Sequence, residues 1–326
     1  METGRPTNPA AEEILGRYFP VLDHGFVSLV DYMGSVEDVE RAARVSYGYG
    51  TRRTSQTRGL VRYLRRHRHT TPSEMVELKF HCAMPVFVAR QWIRHRTASV
   101  NEMSGRYSLM PLLYYRPERE HLQAQSKSNR QGRAGAVSDR VWEESIARWE
   151  RLRAEASGTY EWMVQEDVAR ELARIDLPLS VYTQWYWKID LHNLLHFLSL
   201  RVDPHAQYEI RAFGMIMAGM LQRVAPLSFE AWIDYDVAGT TLSRGELAAL
   251  QRLVQVRDGG LSAGSGRLST AELETLGLST REVEELLHKM ATPPVAQDFA
   301  LDLATARTPE DFARETQAAV PVVDRR

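Results

Sequence analysis

Arginine, glutamine, histidine, glutamate and serine crowd one stretch of the chain. Arg90-Gln91-Trp92-Ile93-Arg94-His95-Arg96 leads into Thr97-Ala98-Ser99-Val100-Asn101-Glu102-Met103-Ser104-Gly105-Arg106-Tyr107. On a helix, Gln91 and Arg94 share a face, as do Arg90 and Arg94 one turn apart. If Glu102 to Arg106 is extended, Glu102, Ser104 and Arg106 point to one side. Gly105 between them then admits close approach of a backbone or a ligand. The result is converging guanidinium groups with a carboxylate, an amide and a hydroxyl. Such a set suits a phosphorylated small molecule that also offers hydrogen bonds. The same residues also fit a solvated arginine cluster that follows a helix.

Other reactive side chains weigh less. Ser104 is a tempting nucleophile, but no His–carboxylate relay is evident beside it, so a ligand hydrogen bond is the better reading. Cys82 is the single thiol. It lies in an apolar run that reads as strand, where burial raises a thiol pKa and leaves it inert. His192 and His196 are spaced to share a helix face and could ligate a metal. No HExxH glutamate or cysteine partner accompanies them, so no metal is expected.

The elements that must position these groups follow from periodicity. Phe26 to Tyr32 alternates as a strand, and Met75 to Cys82 is strand-like. Ser35 to Ser46 is predicted helical, opened by Ser35 with Glu37 and Asp38 in the first turn. Arg52 to His69 is basic and helical, with Leu60, Val61 and Leu64 at helical spacing. Pro85 is expected at the first position of a helix that carries Phe87, Val88 and Ile93. Glu118 to Asp139 is polar and aperiodic, so a long loop is expected. Val141 to Leu152 is an amphipathic helix. Ser180 to Ile189 holds strong strand formers. Asp190 caps a helix to about Leu200, and another runs from Ala206 to Val224. Strands separated by long helical stretches, without a Gly-rich βα turn, argue for an α+β fold.

The arginine segment resembles the signature of the flavin-dependent thymidylate synthases, R-H-R, seven residues, then S, here Arg94-His95-Arg96 and Ser104. Gln91-Trp92 and Glu102-x-Ser104-Gly105-Arg106-Tyr107 are similar to that family too. Four further segments agree in order and spacing. They are Ala42-Ala43-Arg44-Val45-Ser46, His69-Thr70-Thr71-Pro72-Ser73-Glu74, Ala173-Arg174-Ile175-Asp176-Leu177-Pro178 and Leu200-Arg201-Val202-Asp203-Pro204-His205-Ala206-Gln207. The likeness covers about residues 24 to 238. Met75 stands where many family members carry histidine.

The resemblance implies an antiparallel sheet flanked by helices and conversion of dUMP to dTMP. FAD would be the cofactor, with NADPH and methylenetetrahydrofolate as co-substrates. The implied dUMP contacts are Gln91, Trp92, Ile93, Arg94, Glu102, Met103, Ser104, Gly105, Arg106, Arg174 and Arg201. The implied FAD contacts are Thr71, Glu74, Arg94, His95, Arg96, Glu102, Asp190, Leu191, His192 and His196, with Ser46 and His69 in secondary roles. In the family these elements come from different subunits of a homotetramer. Carbon 5 of uracil is a poor nucleophile, and Cys82 is placed too poorly to activate it by adding to carbon 6. Stabilising the uracil anion is the alternative, and the resemblance assigns this to Arg201, whose planar fork stays charged.

Composition bounds the rest. The chain has 326 residues, 44% hydrophobic and 25% charged, ordinary for a globular protein with a real core. Expected are a polar N-terminal tail (1–20), a domain of that family (21–238) and a helical C-terminal extension (239–326). In the extension Leu-Ser-x-x-Glu occurs at Leu242, Leu268 and Leu278, each a capping box. The glycines and serines from Gly259 to Gly266 read as a linker. No apolar run is long enough to span a membrane. The polar start, Met1 to Glu13, lacks a signal core, so a cytoplasmic protein is expected. Only four basic residues are lysine (Lys79, Lys127, Lys188 and Lys289), so arginine forks dominate. A rival function is nucleic-acid binding through Arg52, Arg53, Arg58, Arg62, Arg65, Arg66 and Arg68, with His67 and His69. The formal net charge of −1 does not favour a polyanion. A metal-dependent hydrolase using the histidines is a third reading.

Overall fold

The computed structural model describes residues 7–45, 57–127, 132–257, 260–264, 266–293 and 297–322. They form two units, one of residues up to Ala231 together with Phe299 onward, the other Trp232–Asp298. The first unit runs α1 (Pro9–Glu12), β1 (Tyr18–Val21), β2 (Gly25–Met33), α2 (Val36–Val45), α3 (Thr57–Arg66), α4 (Thr71–Glu74), β3 (Glu77–Pro85), α5 (Val86–Trp92) and β4 (Ser99–Glu102). It continues through β5 (Gln123–Gln125), β6 (Arg133–Ala136), α6 (Asp139–Gln165), α7 (Arg170–Ala173), β7 (Tyr182–Asp190), α8 (Leu191–Arg201), α9 (Tyr208–Val224) and α10 (Pro226–Trp232). The second unit holds α11 (Arg244–Leu253), β8 (Val254–Arg257), β9 (Gly260–Ala263), α12 (Thr270–Thr275) and α13 (Thr280–Ala291); α14 (Pro309–Ala318) returns to the first.

Period-two burial builds the central sheet. Its order is β1-β2-β3-β7-β4, and every pairing is antiparallel, as the α+β expectation required. Phe80 lies opposite Trp187 and Leu29, and Cys82 opposite Trp185 and Val27, so one face is continuously apolar. Trp92, at the end of α5, seals that face. Its ring lies 5.4 Å from Trp185, 5.3 Å from Trp187 and 5.1 Å from Phe197. Such pairs add about 0.5–1.5 kcal/mol each beyond their buried area. The anchored α5 fixes where Arg94–Arg96 leave the helix. Insertion of β7 between β3 and β4 brings β4 beside the strand that feeds α8. The Asp190 carboxylate caps α8, accepting from the Asn193 N–H at 2.9 Å.

Several expectations change. Residues read as a polar tail instead form α1 and most of β1, with Ala11 and Ile14 fully buried. Asn8 Nδ2 donates to the carbonyls of Arg223 (2.8 Å) and Val224 (3.0 Å), satisfying orphan acceptors at the end of α9. Pro85 ends β3 and precedes the first helical residue. The expected 118–139 loop carries the β5–β6 hairpin, whose Gln- and Ala-rich strands have no apolar alternation to announce them. The expected 259–266 linker contributes β9, paired with β8. The chain after Glu102 is not extended through Arg106; it turns, and the N–H groups of Tyr107 and Ser108 both bond the Ser104 carbonyl. Ser46, Arg52 and Arg53 lie outside the described residues.

The C-terminal stretch 299–322 does not continue the extension. Tyr18 and Arg307 exchange backbone hydrogen bonds at 3.1 and 2.8 Å, and Phe312 packs with Phe26, Ala83 and Tyr18. In the second unit the three expected capping boxes are formed, by Ser243 with Glu246, Ser269 with Glu272 and Ser279 with Glu282. Ala249, Leu273, Leu278, Val283 and Leu286 make its core. Among the described residues no helix is long and apolar enough to cross a membrane.

Candidate active site

Arg94 to Thr97, leaving α5, face α8 across a cleft of about 400 Å³, lined also by Ile189, Asn193, His196, Leu200 and Arg201. Arg201 Nε donates to His95 Nε2 at 3.0 Å. An arginine can only donate, so Nε2 must hold a lone pair and the imidazole is neutral. Burial, then the Arg201 charge, then His196 depress the His95 pKa from 6.5 to about 4. Burial also lowers the Arg201 pKa, but a guanidinium stays charged. The remaining N–H groups of Arg201 meet no protein acceptor among the described residues, and Arg94 and Arg96 form no ion pair there. Guanidinium groups gathered without a carboxylate await an anion.

A second group gathers where β4 meets α7. Glu102 Oε1 accepts from Thr183 Oγ1 at 2.7 Å. Gly105 is buried, and a Cβ there would lie 2.7 Å from Met110 Sδ and 3.0 Å from Arg174 Cδ. Only glycine lets the Arg174 stem lie so close to this backbone. Arg106 Nε reaches Glu171 Oε2 at 3.0 Å, across an exposed surface. Ser104 Oγ accepts from the Arg106 N–H at 3.3 Å, which aids the turn. A turn rather than an extended strand therefore sets Gly105 against Arg174, while Glu102 is held by Thr183 and Arg106 by Glu171.

A third cavity of about 1000 Å³ lies between α2, α3 and α4, with Arg41, Tyr63, Arg68, His69, Thr71 and Met75 among its walls. It shares no lining residue with the Arg201 cleft. Of the other expected contacts, Glu74 sits on α4 outside that lining. Asp190 and His192 stand at the start of α8, where both Asp190 oxygens bind Asn193. His196 faces His95 at 6.2 Å between ring centroids. Trp92 and Leu191 are 0% exposed. Their side chains belong to the core, which leaves them only backbone groups for a ligand. Ile93 is exposed, and Met103 packs against the Met110–Tyr160 cluster. Sequence reasoning missed Thr97 and Asn193. Asn193 had a signal, since it stands at the third helical position after the Asp190 cap.

Cys82 is 0% exposed, and burial pushes its thiol well above the usual range. It is packing, as expected, and offers no thiolate.

The donor set fits a flavin dinucleotide, since unpaired arginines suit its diphosphate and a half-buried neutral histidine suits a ring edge.

A family model described as thymidylate synthase complementing protein matches residues 28–227. The chain is 48% identical over 287 residues to a flavin-dependent thymidylate synthase of Gluconobacter oxydans, spanning 87% of this chain and 91% of that one. It is 47% identical over 290 residues to one of Ruegeria pomeroyi, with 87% and 91% covered. Among solved structures it is similar to a UMP/dUMP methylase of Streptomyces cacaoi bound with 5-Br dUMP. That likeness has a TM-score of 0.61 and 32% identity, over 67% of this chain and 98% of that one. With the arginine cleft in place and the family model matching most of the first unit, the chain belongs to the flavin-dependent thymidylate synthase family.

Proposed function

We propose that this chain methylates dUMP to dTMP, with methylenetetrahydrofolate as carbon donor and NADPH as the reductant of bound FAD. One observation carries the reading. Arg201 is half buried, is held by a neutral histidine, and keeps guanidinium N–H groups without a protein partner among the described residues. A charge so placed stabilises an anion that develops on the uracil N3 and its carbonyls, because its fork is already oriented when the charge appears. The inert Cys82 supports the same route, as the chain offers no thiolate to add at carbon 6. Arg106 and Arg174 would hold the phosphate end of dUMP, with Glu102 and Gln91 hydrogen-bonding its polar groups. Arg94, His95, Arg96 and His196 would hold the flavin, and Thr71 and His69 would take another part of it. When bound, the flavin supplies the hydride that completes the methyl group. His95 accepts from Arg201 and thereby aims the fork.

The separation of the α4 cavity from the Arg201 cleft supports a homotetramer in which subunits share sites. The nucleic-acid alternative loses ground, since Arg58 and Arg62 both bind Glu230 (2.5 and 2.8 Å) and are not free for phosphates. Titration of the purified protein with FAD, followed by absorbance, tests the proposal. A shifted flavin spectrum that changes again on adding dUMP is expected. A protein that leaves the flavin spectrum unchanged at every concentration overturns it.

A further inference from the structure

We infer that Glu209 and Gln207 are positioning residues that lock the Gln91 side-chain amide with its carbonyl oxygen free for the nucleotide; this rests on the proposed contact between Gln91 and dUMP.

Glu209 opens α9 and is only 2% exposed. Its Oε2 accepts from Arg133 Nη2 at 2.7 Å and from Gln207 Nε2 at 2.8 Å, and its Oε1 accepts from the Tyr115 hydroxyl at 3.1 Å. Arg133 forms an ion pair with it, and a carboxylate in an ion pair only accepts hydrogen bonds.

That polarity propagates. Gln207 must turn its NH2 group to Glu209, so its Oε1 faces the other way. Gln207 Oε1 accepts from Gln91 Nε2. Gln91 must then present its NH2 inward, which leaves its own Oε1 as the outward acceptor. An amide can usually flip between two orientations at small cost, offering a donor or an acceptor. Here a buried carboxylate two hydrogen bonds away selects one. The consequence for the ligand is specific. At neutral pH the hydrogen-bond donors of dUMP are its N3–H and its 3′-hydroxyl, whereas its phosphate offers acceptors. The fixed Gln91 Oε1 therefore answers a donor of the nucleoside, while the second N–H of its amide stays available to an acceptor.

Arg133 comes from β6, the hairpin that the sequence did not announce. Against the hairpin, the His121 ring stacks on Tyr208 at 3.5 Å between centroids. A purely structural role, with Arg133 and Glu209 merely pinning the hairpin to α9, predicts no special tie to Gln91. A double-mutant cycle separates the two.

Gln207 is exposed, so Gln207→Leu keeps the Glu209–Arg133 pair and should fold. In the full-length enzyme, the expected result for Gln207→Leu is a rise of about tenfold in KM for dUMP, with kcat within about twofold. Gln91→Leu should raise KM similarly or more, and the double variant should be no worse than Gln91→Leu alone. Glu209→Gln should also raise KM, because a neutral amide no longer dictates the polarity. If Gln91→Leu raises KM while Gln207→Leu does not, or if the two effects add, the relay is wrong. If Gln91→Leu leaves KM unchanged, the placing of Gln91 at the nucleotide fails, and the relay fails with it.

Discussion

Two arginine-rich regions of this chain look alike in sequence and differ in the fold. On α3, Arg58 and Arg62 converge on one carboxylate, Glu230, from a segment far along the chain. Around the α5–α8 cleft, Arg94, Arg96 and Arg201 gather with no carboxylate among the described residues. The first arrangement is a surface tether whose guanidinium groups already share a carboxylate. The second holds charge with no carboxylate beside it, exposed at Arg94 and Arg96 and half buried at Arg201, an arrangement suited to an anion. Arginine count does not distinguish a site from a scaffold; the distinction lies in whether the fold delivers a carboxylate.

The strongest way to break this comparison is Arg201→Lys. It keeps the charge and loses the planar fork, so methyl transfer should fall by roughly a hundredfold or more. NADPH oxidation by the flavin involves no uracil anion and should fall much less. Equal losses in both half-reactions, measured separately, would point to a displaced flavin instead. Next in size, Arg174→Ala and Arg106→Ala should each weaken dUMP binding about ten- to a hundredfold, the loss of a charge-assisted contact worth roughly 1.5–3 kcal/mol. Arg106 already has Glu171 as a partner, so unchanged affinity in Arg106→Ala alone would move it to the scaffold class.

The histidine between the arginines sharpens the comparison through pH. The folded chain binds a proton at His95 less readily than the unfolded chain, with a pKa of about 4 against 6.5. Its contribution to stability is therefore complete above 6.5 and is lost as pH falls through about 4. NMR of the labelled ring should find it neutral at pH 5.5; an imidazolium at that pH would mean that Nε2 is not the acceptor of the Arg201 bond. Smallest of all, Arg58→Ala should cost roughly 0.2–1 kcal/mol in chemical denaturation, since its side chain is 61% exposed. Turnover should not change. A marked loss of turnover would place α3 in the site.

Much of the positioning was legible because its causes are local. The alternation of Leu78, Phe80 and Cys82, the Asp190 cap and the three Ser…Glu boxes each act within a few residues, so their chemistry is written in adjacent letters. The residues around Arg94-His95-Arg96 carry the family signature, and the fold puts Arg201 against His95. The β5–β6 hairpin was not legible. Arg133 and His121 tie it to Glu209 and Tyr208, partners more than seventy residues away. The burial of the Trp92 ring was not legible for a related reason. Its neighbours in the family signature are polar, but α5 turns its ring onto Trp185 and Trp187 in the core.

By itself the sequence determined the central strands β2, β3 and β7, the Asp190 and Ser…Glu helix caps, the inert thiol and the family. Tertiary structure decided which arginines are neutralised, that Gly105 makes room for Arg174, and that residues 299–322 rejoin the first unit. The physical reason is range. Caps and alternation satisfy backbone groups and apolar surface over one turn or one strand pair. Whether a charge is paired, or a surface covered, depends on a group that only the folded chain brings near.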